Sequence, residues 1–229
     1  MYTLCQRARH VLDLKFFNQR NSPDFVSGYR VKCPYDHQYI LRMIIRHGHG
    51  EFCLPYELAW ATPIIMIAND YQERVVKIRH LACYITVRHG LVTSETDDVP
   101  HTDGFSTKIN HLPEQNYIVT NVYPTRYISK AIEFPKDFNP LRHNVHKYIQ
   151  TQVGTSDQRA LGVNRIYCID PYCIHLRPEV PEGTIRTFVR VSFVPIEIMD
   201  DTNTPNPLLP MPTYSRNGVV IRDKLQEYR

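Results

Sequence analysis

The chain has no apolar run that approaches the roughly 18–20 residues of a transmembrane helix. Its longest apolar candidate, PIIMIA at 63–68, is followed directly by Asn69 and Asp70. The first ten residues, MYTLCQRARH, lack the apolar core of a secretory signal. The sequence therefore predicts a cytoplasmic protein that does not associate with membranes.

Cysteine and glycine are both scarce, which excludes some classes of protein. The 6 Cys among 229 residues form no CxxC pair and are too sparse for a secreted disulfide scaffold, so we expect reduced thiols. Only 9 Gly accompany 15 Tyr and 17 Pro, a composition that favours strands and rigid turns over a helical bundle.

Charge of one sign is nowhere concentrated. No run of Lys or Arg marks a nucleic-acid-binding tail, and the formal net charge is only +4. This balance neither requires nor excludes a polyanionic partner. A small-molecule substrate is the expected partner, nucleic acid is not indicated, and the oligomeric state is left open.

Strand signals dominate the central part of the chain. The segments that read as strands are residues 80–90, 115–125, 164–175 and 184–198. A helix is favoured for residues 54–76, and a short surface helix for 139–152, with Asn139 as its cap before Pro140.

Many short strands and few helices predict a mainly β protein with a double-sheet jelly roll. The length suits one domain, so residues 1–229 are assigned to a single domain. Its jelly-roll core would span about 80–198. Residues 1–79 would decorate this core, and residues 199–229, rich in Pro and Asn at their start, would form a C-terminal arm.

The stretch VPHTDGF places His101 and Asp103 one residue apart in a segment that enters a strand. In an extended backbone, residues i and i+2 point to the same side, so the imidazole and the carboxylate would project together. Two His and one carboxylate on one face of non-haem iron leave positions open for a cosubstrate and oxygen. The third ligand would come from another strand, and His175, at the end of IYCIDPYCIH, is the best placed of the 11 His.

Two arginines follow in the next strand. Alternation places Arg186, Phe188, Arg190 and Ser192 on one face, and Thr187, Val189, Val191 and Phe193 on the other. Burial of two guanidinium groups is costly unless anions accompany them. A dicarboxylate cosubstrate would be such a partner, because guanidinium binds a carboxylate through two parallel hydrogen bonds.

PHTDGF, the later His175 and the sequence HLRPEVPEGTIRTFVRVSF together resemble the Fe(II)- and 2-oxoglutarate-dependent dioxygenases over roughly residues 82–194. The resemblance implies a double-stranded β-helix, a cupin-like variant of the jelly roll. It also implies that His101, Asp103 and His175 bind Fe(II), with 2-oxoglutarate and O2 as cosubstrates. Such an enzyme hydroxylates a substrate, or desaturates or cyclises it, while 2-oxoglutarate becomes succinate and carbon dioxide.

The resemblance also suggests roles for residues around the metal. Arg186 is favoured for the distal carboxylate of 2-oxoglutarate, and Arg190 for an anionic group on the substrate. Arg190 and Ser192 also fit the Arg-X-Ser pattern of some members, which leaves the two arginines in competition. By position, Tyr117 or Asn121 could add to the cosubstrate pocket.

Three functions remain open at this point. The leading one is oxidation of a small molecule with an anionic group, such as an amino acid or metabolite. The same chemistry on a nucleobase in a nucleotide or nucleic acid is the second. The third is a non-catalytic jelly-roll binding protein in which the His and Asp residues have no redox role.

Overall fold

The computed structural model describes residues 13–18, 22–48, 50–78, 80, 82–92, 98–103, 114–194, 198–199, 203–210 and 220–221. Two α-helices lie in these ranges, α1 (Thr62–Tyr71) and α2 (Val145–Gln152). The strands are β1 (Asp24–Gly28), β2 (Tyr39–His47), β3 (Ala82–Leu91), β4 (Gln115–Thr120), β5 (Arg126–Ile128), β6 (Gln158–Ala160), β7 (Arg165–Ile169), β8 (His175–Leu176), β9 (Ile185–Val194), β10 (Ile198–Met199) and β11 (Val220–Ile221). Each of the four segments predicted to form strands contains at least part of one.

The strands form two principal sheets. The large sheet is antiparallel, with the strand order β1-β7-β4-β9-β3-β2. The small sheet has the order β6-β5-β8, and His101 extends it by an antiparallel bridge to His175 in β8. From β3 onward, the chain passes back and forth between the two sheets. The members β3, β4, β7 and β9 lie in the large sheet, and His101, β5, β6 and β8 form the opposite stack. This alternation between two four-membered stacks is the topology of a double-stranded β-helix, so the predicted fold is confirmed.

The large sheet has an apolar outer face, which is covered by α1. Val189, Val191 and Phe193 of β9 are buried there in one cluster with Ile64 and Ile65 of α1. Burying each such side chain contributes on the order of 1.5–3 kcal/mol. The predicted alternation along β9 is thereby confirmed, and it leaves the arginines on the inner face, toward the small sheet.

The helix predicted for residues 54–76 is confirmed, although it is built in three pieces. A 3₁₀ turn at Tyr56–Ala61 leads into α1, and a π turn at Gln72–Val76 follows. Pro63 lies in the first turn of α1, where its missing N–H removes no helical hydrogen bond.

The N-terminal segment is more than decoration. Its strands β1 and β2 form the two edges of the large sheet. The sequence signal of β2 is weak because a register shift between Ile44 and Arg46 interrupts the alternation of buried and exposed residues.

The surface helix predicted for residues 139–152 is present but begins later. The side chain of Asn144, rather than that of Asn139, accepts the Lys147 N–H at 2.9 Å and caps α2. Asn139 instead accepts from the Leu141 N–H in the preceding turn. The buried residues Val145 and Ile149 then fix α2 in a second apolar cluster.

Only part of the C-terminal arm lies within the described residues. There, the Thr204 N–H donates to the Arg42 carbonyl, and the Asn206 amide donates to the carbonyls of Ile44 and Cys53. Leu209 is buried against the inner-face residues Ile44 and Tyr84. Residues 203–210 therefore cover the β2 edge of the large sheet.

Among the described helices, none has the length and apolar character needed to cross a bilayer.

Asn144→Ala removes the cap of α2 and should lower the free energy of unfolding by about 1 kcal/mol. Chemical denaturation followed by circular dichroism measures this change. Asn139→Ala serves as the matched control and should have a smaller effect, because Asn139 lies outside the helix. An equal or larger loss in the control would contradict the observed cap position.

Candidate active site

A pair of backbone hydrogen bonds joins the two histidines that the sequence analysis selected. The His101 N–H donates to the His175 carbonyl at 3.0 Å, and the His175 N–H donates to the His101 carbonyl at 2.9 Å. The two imidazole rings consequently lie side by side, with centroids 4.6 Å apart. Residues that are far apart in the sequence are thus fixed as direct neighbours.

Asp103 projects to the same side as His101, as the i, i+2 spacing predicts. Its Oδ2 lies 3.4 Å from His175 Nε2, and one ligand atom from each of the three residues lies within 4.8 Å of the others. Thr102 points the other way, and its hydroxyl hydrogen bonds with His146 Nε2 at 3.1 Å. The geometry therefore brings His101, Asp103 and His175 together.

The remaining hydrogen bonds of the two imidazoles determine which nitrogen faces the centre. His101 Nδ1 donates to the Val99 carbonyl at 2.8 Å, and His175 Nδ1 donates to the Cys173 carbonyl at 3.0 Å. Each neutral ring then carries its lone pair on Nε2. This is the arrangement in which histidine binds metals, with the other nitrogen held by a backbone carbonyl.

The donor set fits a divalent metal ion. Two imidazole lone pairs and one carboxylate converge, and lone pairs at close range repel one another unless a cation lies between them. Ligands at about 2.1 Å and at right angles would be about 3 Å apart, near the separation of Asp103 Oδ2 and His175 Nε2. The three residues could therefore hold a metal on one face and leave its other side open.

Arg190 lies against the same carboxylate. Its Nη1 donates to Asp103 Oδ2 at 2.8 Å in a largely buried ion pair. Burial alone would raise the pKa of Asp103, but its close contacts with His175 and with the positively charged Arg190 outweigh burial and hold that pKa well below its usual range. The structure thus places Arg190, predicted for the substrate, beside a candidate metal ligand.

Arg186 lies deeper in the same cavity. A single cavity is lined by His101, His175, Arg186 and Arg190, together with Thr86, Arg88, Thr125, Leu176, Arg177 and Phe188. Arg186 is 7% exposed, and its Nε donates to the Tyr123 carbonyl at 3.0 Å. Tyr123 has a φ of 45°, a strained conformation for a residue other than glycine. Such strain is often found at functional sites, and here the Tyr123 carbonyl accepts the hydrogen bond from Arg186.

The Arg186 end of the cavity carries an excess of positive charge. Burial, followed by the nearby charges of Arg177 and Arg88, lowers the pKa of Arg186 to about 10. Three guanidinium groups at close range are unfavourable unless an anion joins them. The arrangement is therefore suited to a carboxylate ligand.

Three buried polar atoms of residues that line this cavity have no hydrogen-bond partner among the described residues, namely Thr86 Oγ1, Arg177 Nε and Arg190 Nε. A buried polar group without a partner costs about 1–3 kcal/mol. Such groups at the wall of a cationic cavity are the donors that a bound carboxylate would use.

Two other residues predicted for the cosubstrate pocket, Tyr117 and Asn121, form hydrogen bonds elsewhere. Tyr117 lies on the outer face of the large sheet, because it pairs with Val191 rather than Arg190, and its hydroxyl donates to Gln72 at 2.8 Å. Asn121 Oδ1 accepts from the Thr187 N–H at 2.7 Å. The position of Tyr117 therefore differs from the expectation, while Asn121 supports the backbone of β9.

Ser192 lies on the inner face, as predicted, but is fully buried. Its hydroxyl donates to Asn116 Oδ1 at 2.5 Å. It also lies close to Glu114, a residue just before β4 that the sequence analysis did not select. Burial raises the pKa of Glu114, and Arg190, Asp103 and Arg42 are its charged neighbours.

Helix α2 contacts the loop that carries His101 and Asp103. The Gln150 amide donates to the Pro100 carbonyl at 3.3 Å, one turn from the His146 contact with Thr102. From sequence, the i, i+3 spacing of His143 and His146 is one that can bind zinc but more often belongs to a surface pair. Tertiary packing gives His146 this second role.

No family model and no curated protein matches this sequence. Similar solved structures include HygX from Streptomyces hygroscopicus with nickel and 2-oxoglutarate bound. Its sequence is 12% identical to this chain, the match covers 81% of this chain and 80% of that chain, and the TM-score is 0.36. HygX with nickel, 2-oxoglutarate and hygromycin B bound is 13% identical over 72% of this chain and 75% of that chain, with a TM-score of 0.34. The fold is assigned from the strand order of the two sheets.

Proposed function

We propose that this protein is an Fe(II)- and 2-oxoglutarate-dependent oxygenase that oxidises a small molecule bearing an anionic group. One observation carries the proposal: the ligand atoms of His101, Asp103 and His175 lie close together, and both histidines line a cavity that also contains Arg186. The double-stranded β-helix provides the matching scaffold. Hydroxylation is the favoured reaction, and desaturation and cyclisation are the alternatives.

His101, Asp103 and His175 would hold the Fe(II) ion. When bound, iron with 2-oxoglutarate and O2 supplies the oxidising power for a C–H bond, and 2-oxoglutarate is converted to succinate and carbon dioxide. The protein orients the ligands. The carbonyls of Val99 and Cys173 fix both rings with Nε2 toward the metal position.

Arg186 would bind the distal carboxylate of 2-oxoglutarate. Its Nε is already engaged by the Tyr123 carbonyl, which orients the guanidinium group. Arg88 and Arg177 are the charged neighbours of Arg186 and would complete the carboxylate site, whereas Thr86 lines the same cavity in register with Arg190. A dicarboxylate that spans from the metal position to Arg186 relieves the mutual repulsion of the three guanidinium groups.

Asp103→Ala should abolish metal binding and succinate formation, because one ligand is lost and Arg190 is left without its carboxylate partner. Calorimetry with Ni(II), and succinate assays with Fe(II), 2-oxoglutarate and ascorbate, measure both effects. The control Asp98→Ala, at an exposed position of the same loop, should behave like the wild type. Wild-type activity in Asp103→Ala would show that the ligand assignment is wrong.

Arg186→Gln should raise the dissociation constant of 2-oxoglutarate by about 30-fold or more, which corresponds to roughly 2 kcal/mol for a buried charge pair. Arg190→Gln should act mainly on metal affinity, because Arg190 contacts Asp103. Titration of 2-oxoglutarate into Ni(II)-loaded protein separates the two effects. A larger increase in the dissociation constant of 2-oxoglutarate for Arg190→Gln than for Arg186→Gln would assign the distal carboxylate to Arg190 instead of Arg186.

Thr86→Val should leave stability unchanged or raise it, since the variant removes a buried hydroxyl that lacks a partner. The same variant should weaken 2-oxoglutarate binding about threefold to tenfold through loss of one hydrogen bond. Thermal unfolding without ligand and titration with 2-oxoglutarate provide the two readouts. A loss of stability together with unchanged affinity would assign Thr86 a purely structural role.

A further inference from the structure

The inner face of the large sheet carries a second polar cluster, on the β2 side of the candidate metal ligands. Register pairs Arg42 with Thr86, and Thr86 with Arg190, so the three residues form one row across β2, β3 and β9. Neighbouring strands are about 4.8 Å apart, which puts Arg42 about 10 Å from the strand that carries Arg190. Arg42 therefore lies on the same face of the sheet as Arg190, the partner of Asp103.

Arg42 is only partly engaged. Its guanidinium group lies over the Tyr84 ring at 5.4 Å, and its Nε is buried without a hydrogen-bond partner among the described residues. The contact with the ring leaves the in-plane N–H donors of the guanidinium group available for hydrogen bonds.

The C-terminal arm brings a second unsatisfied group to this place. Asn203 is 7% exposed, and neither its Oδ1 nor its Nδ2 has a partner within the part of the chain that the structure describes. The next residue, Thr204, hydrogen bonds through its N–H to the Arg42 carbonyl, which fixes Asn203 beside Arg42. Both atoms of a buried amide are thus left for a ligand to use.

Charge indicates the nature of that ligand. Four guanidinium groups lie along this inner region, those of Arg42, Arg177, Arg186 and Arg190. Among the described residues, the carboxylates that accompany them are Asp103 and Glu114. Fe(II) and dianionic 2-oxoglutarate neutralise each other, so their binding would leave the positive excess unchanged.

We propose that Arg42 and Asn203 form a substrate subsite that binds an oxyanion, a carboxylate or a phosphate-type group, and directs the rest of the substrate toward the metal ligands. This inference rests on the proposed function and adds residues that the sequence analysis did not select. Glu114, close to both Arg42 and Arg190, shapes the boundary between this subsite and the metal.

The test is calorimetric titration of protein saturated with Ni(II) and 2-oxoglutarate, at constant ionic strength. Sulfate and acetate are the probes for tetrahedral and planar oxyanions. Arg42→Gln should weaken binding of the preferred probe by roughly tenfold or more, the scale of one charge-assisted hydrogen bond. Arg142→Gln, at an exposed position before α2, should have no effect.

Asn203→Ala is a second test variant, which keeps the proposal testable if Arg42→Gln fails to fold. Because the amide lacks a partner, the variant should keep the melting temperature of the wild type yet weaken oxyanion binding about threefold to tenfold. A lower melting temperature with unchanged oxyanion binding would make Asn203 structural and overturn its part in the subsite.

The two levels of the proposal fail differently. If the wild type does not bind Ni(II) and 2-oxoglutarate, the proposed function is wrong. If it binds both, but binds neither probe or binds one equally well after Arg42→Gln, the substrate subsite is wrong and the proposed function stands.

Discussion

The reciprocal hydrogen bonds between the backbones of His101 and His175 are the constraint on which the site depends. They join the loop after β3 to the short strand β8, and so place two imidazoles side by side. The loop supplies the Val99 carbonyl and the segment before β8 supplies the Cys173 carbonyl, and each fixes the orientation of one ring. Without this bridge, Asp103 would have no second histidine within ligand distance.

The distribution of charge follows from the two faces of the large sheet. The outer face buries apolar side chains against α1, which stabilises the fold. The inner face instead carries arginines, and a row of guanidinium groups contributes little to stability unless anions are bound. A cationic cavity of this kind is suited to anionic ligands, and it is lined by His101 and His175, which together with Asp103 could hold a metal ion.

The fold and the His101–Asp103 pair were accessible from sequence because both follow from local patterns, whereas His175 was selected by its place at the end of a strand and by the family resemblance. Alternation along residues 184–198 located β9 and its two faces, and the i, i+2 spacing placed His101 and Asp103 on one side. Long-range register was not accessible. Nothing in the sequence pairs Arg42 with Thr86 or brings Arg190 to Asp103, and a β-bulge hides β2 from pattern analysis. Tyr117 differed from expectation for the same reason, since its face depends on its pairing with β9.

The most direct test of this account is anomalous X-ray diffraction at the nickel absorption edge from crystals loaded with Ni(II) and 2-oxoglutarate. The account predicts one strong peak, about 2.1 Å from Nε2 of His101, Nε2 of His175 and the carboxylate of Asp103. It also predicts a dicarboxylate that extends from this peak to Arg186. A peak elsewhere, or a peak that lacks one of these three side chains as a ligand, would contradict the account.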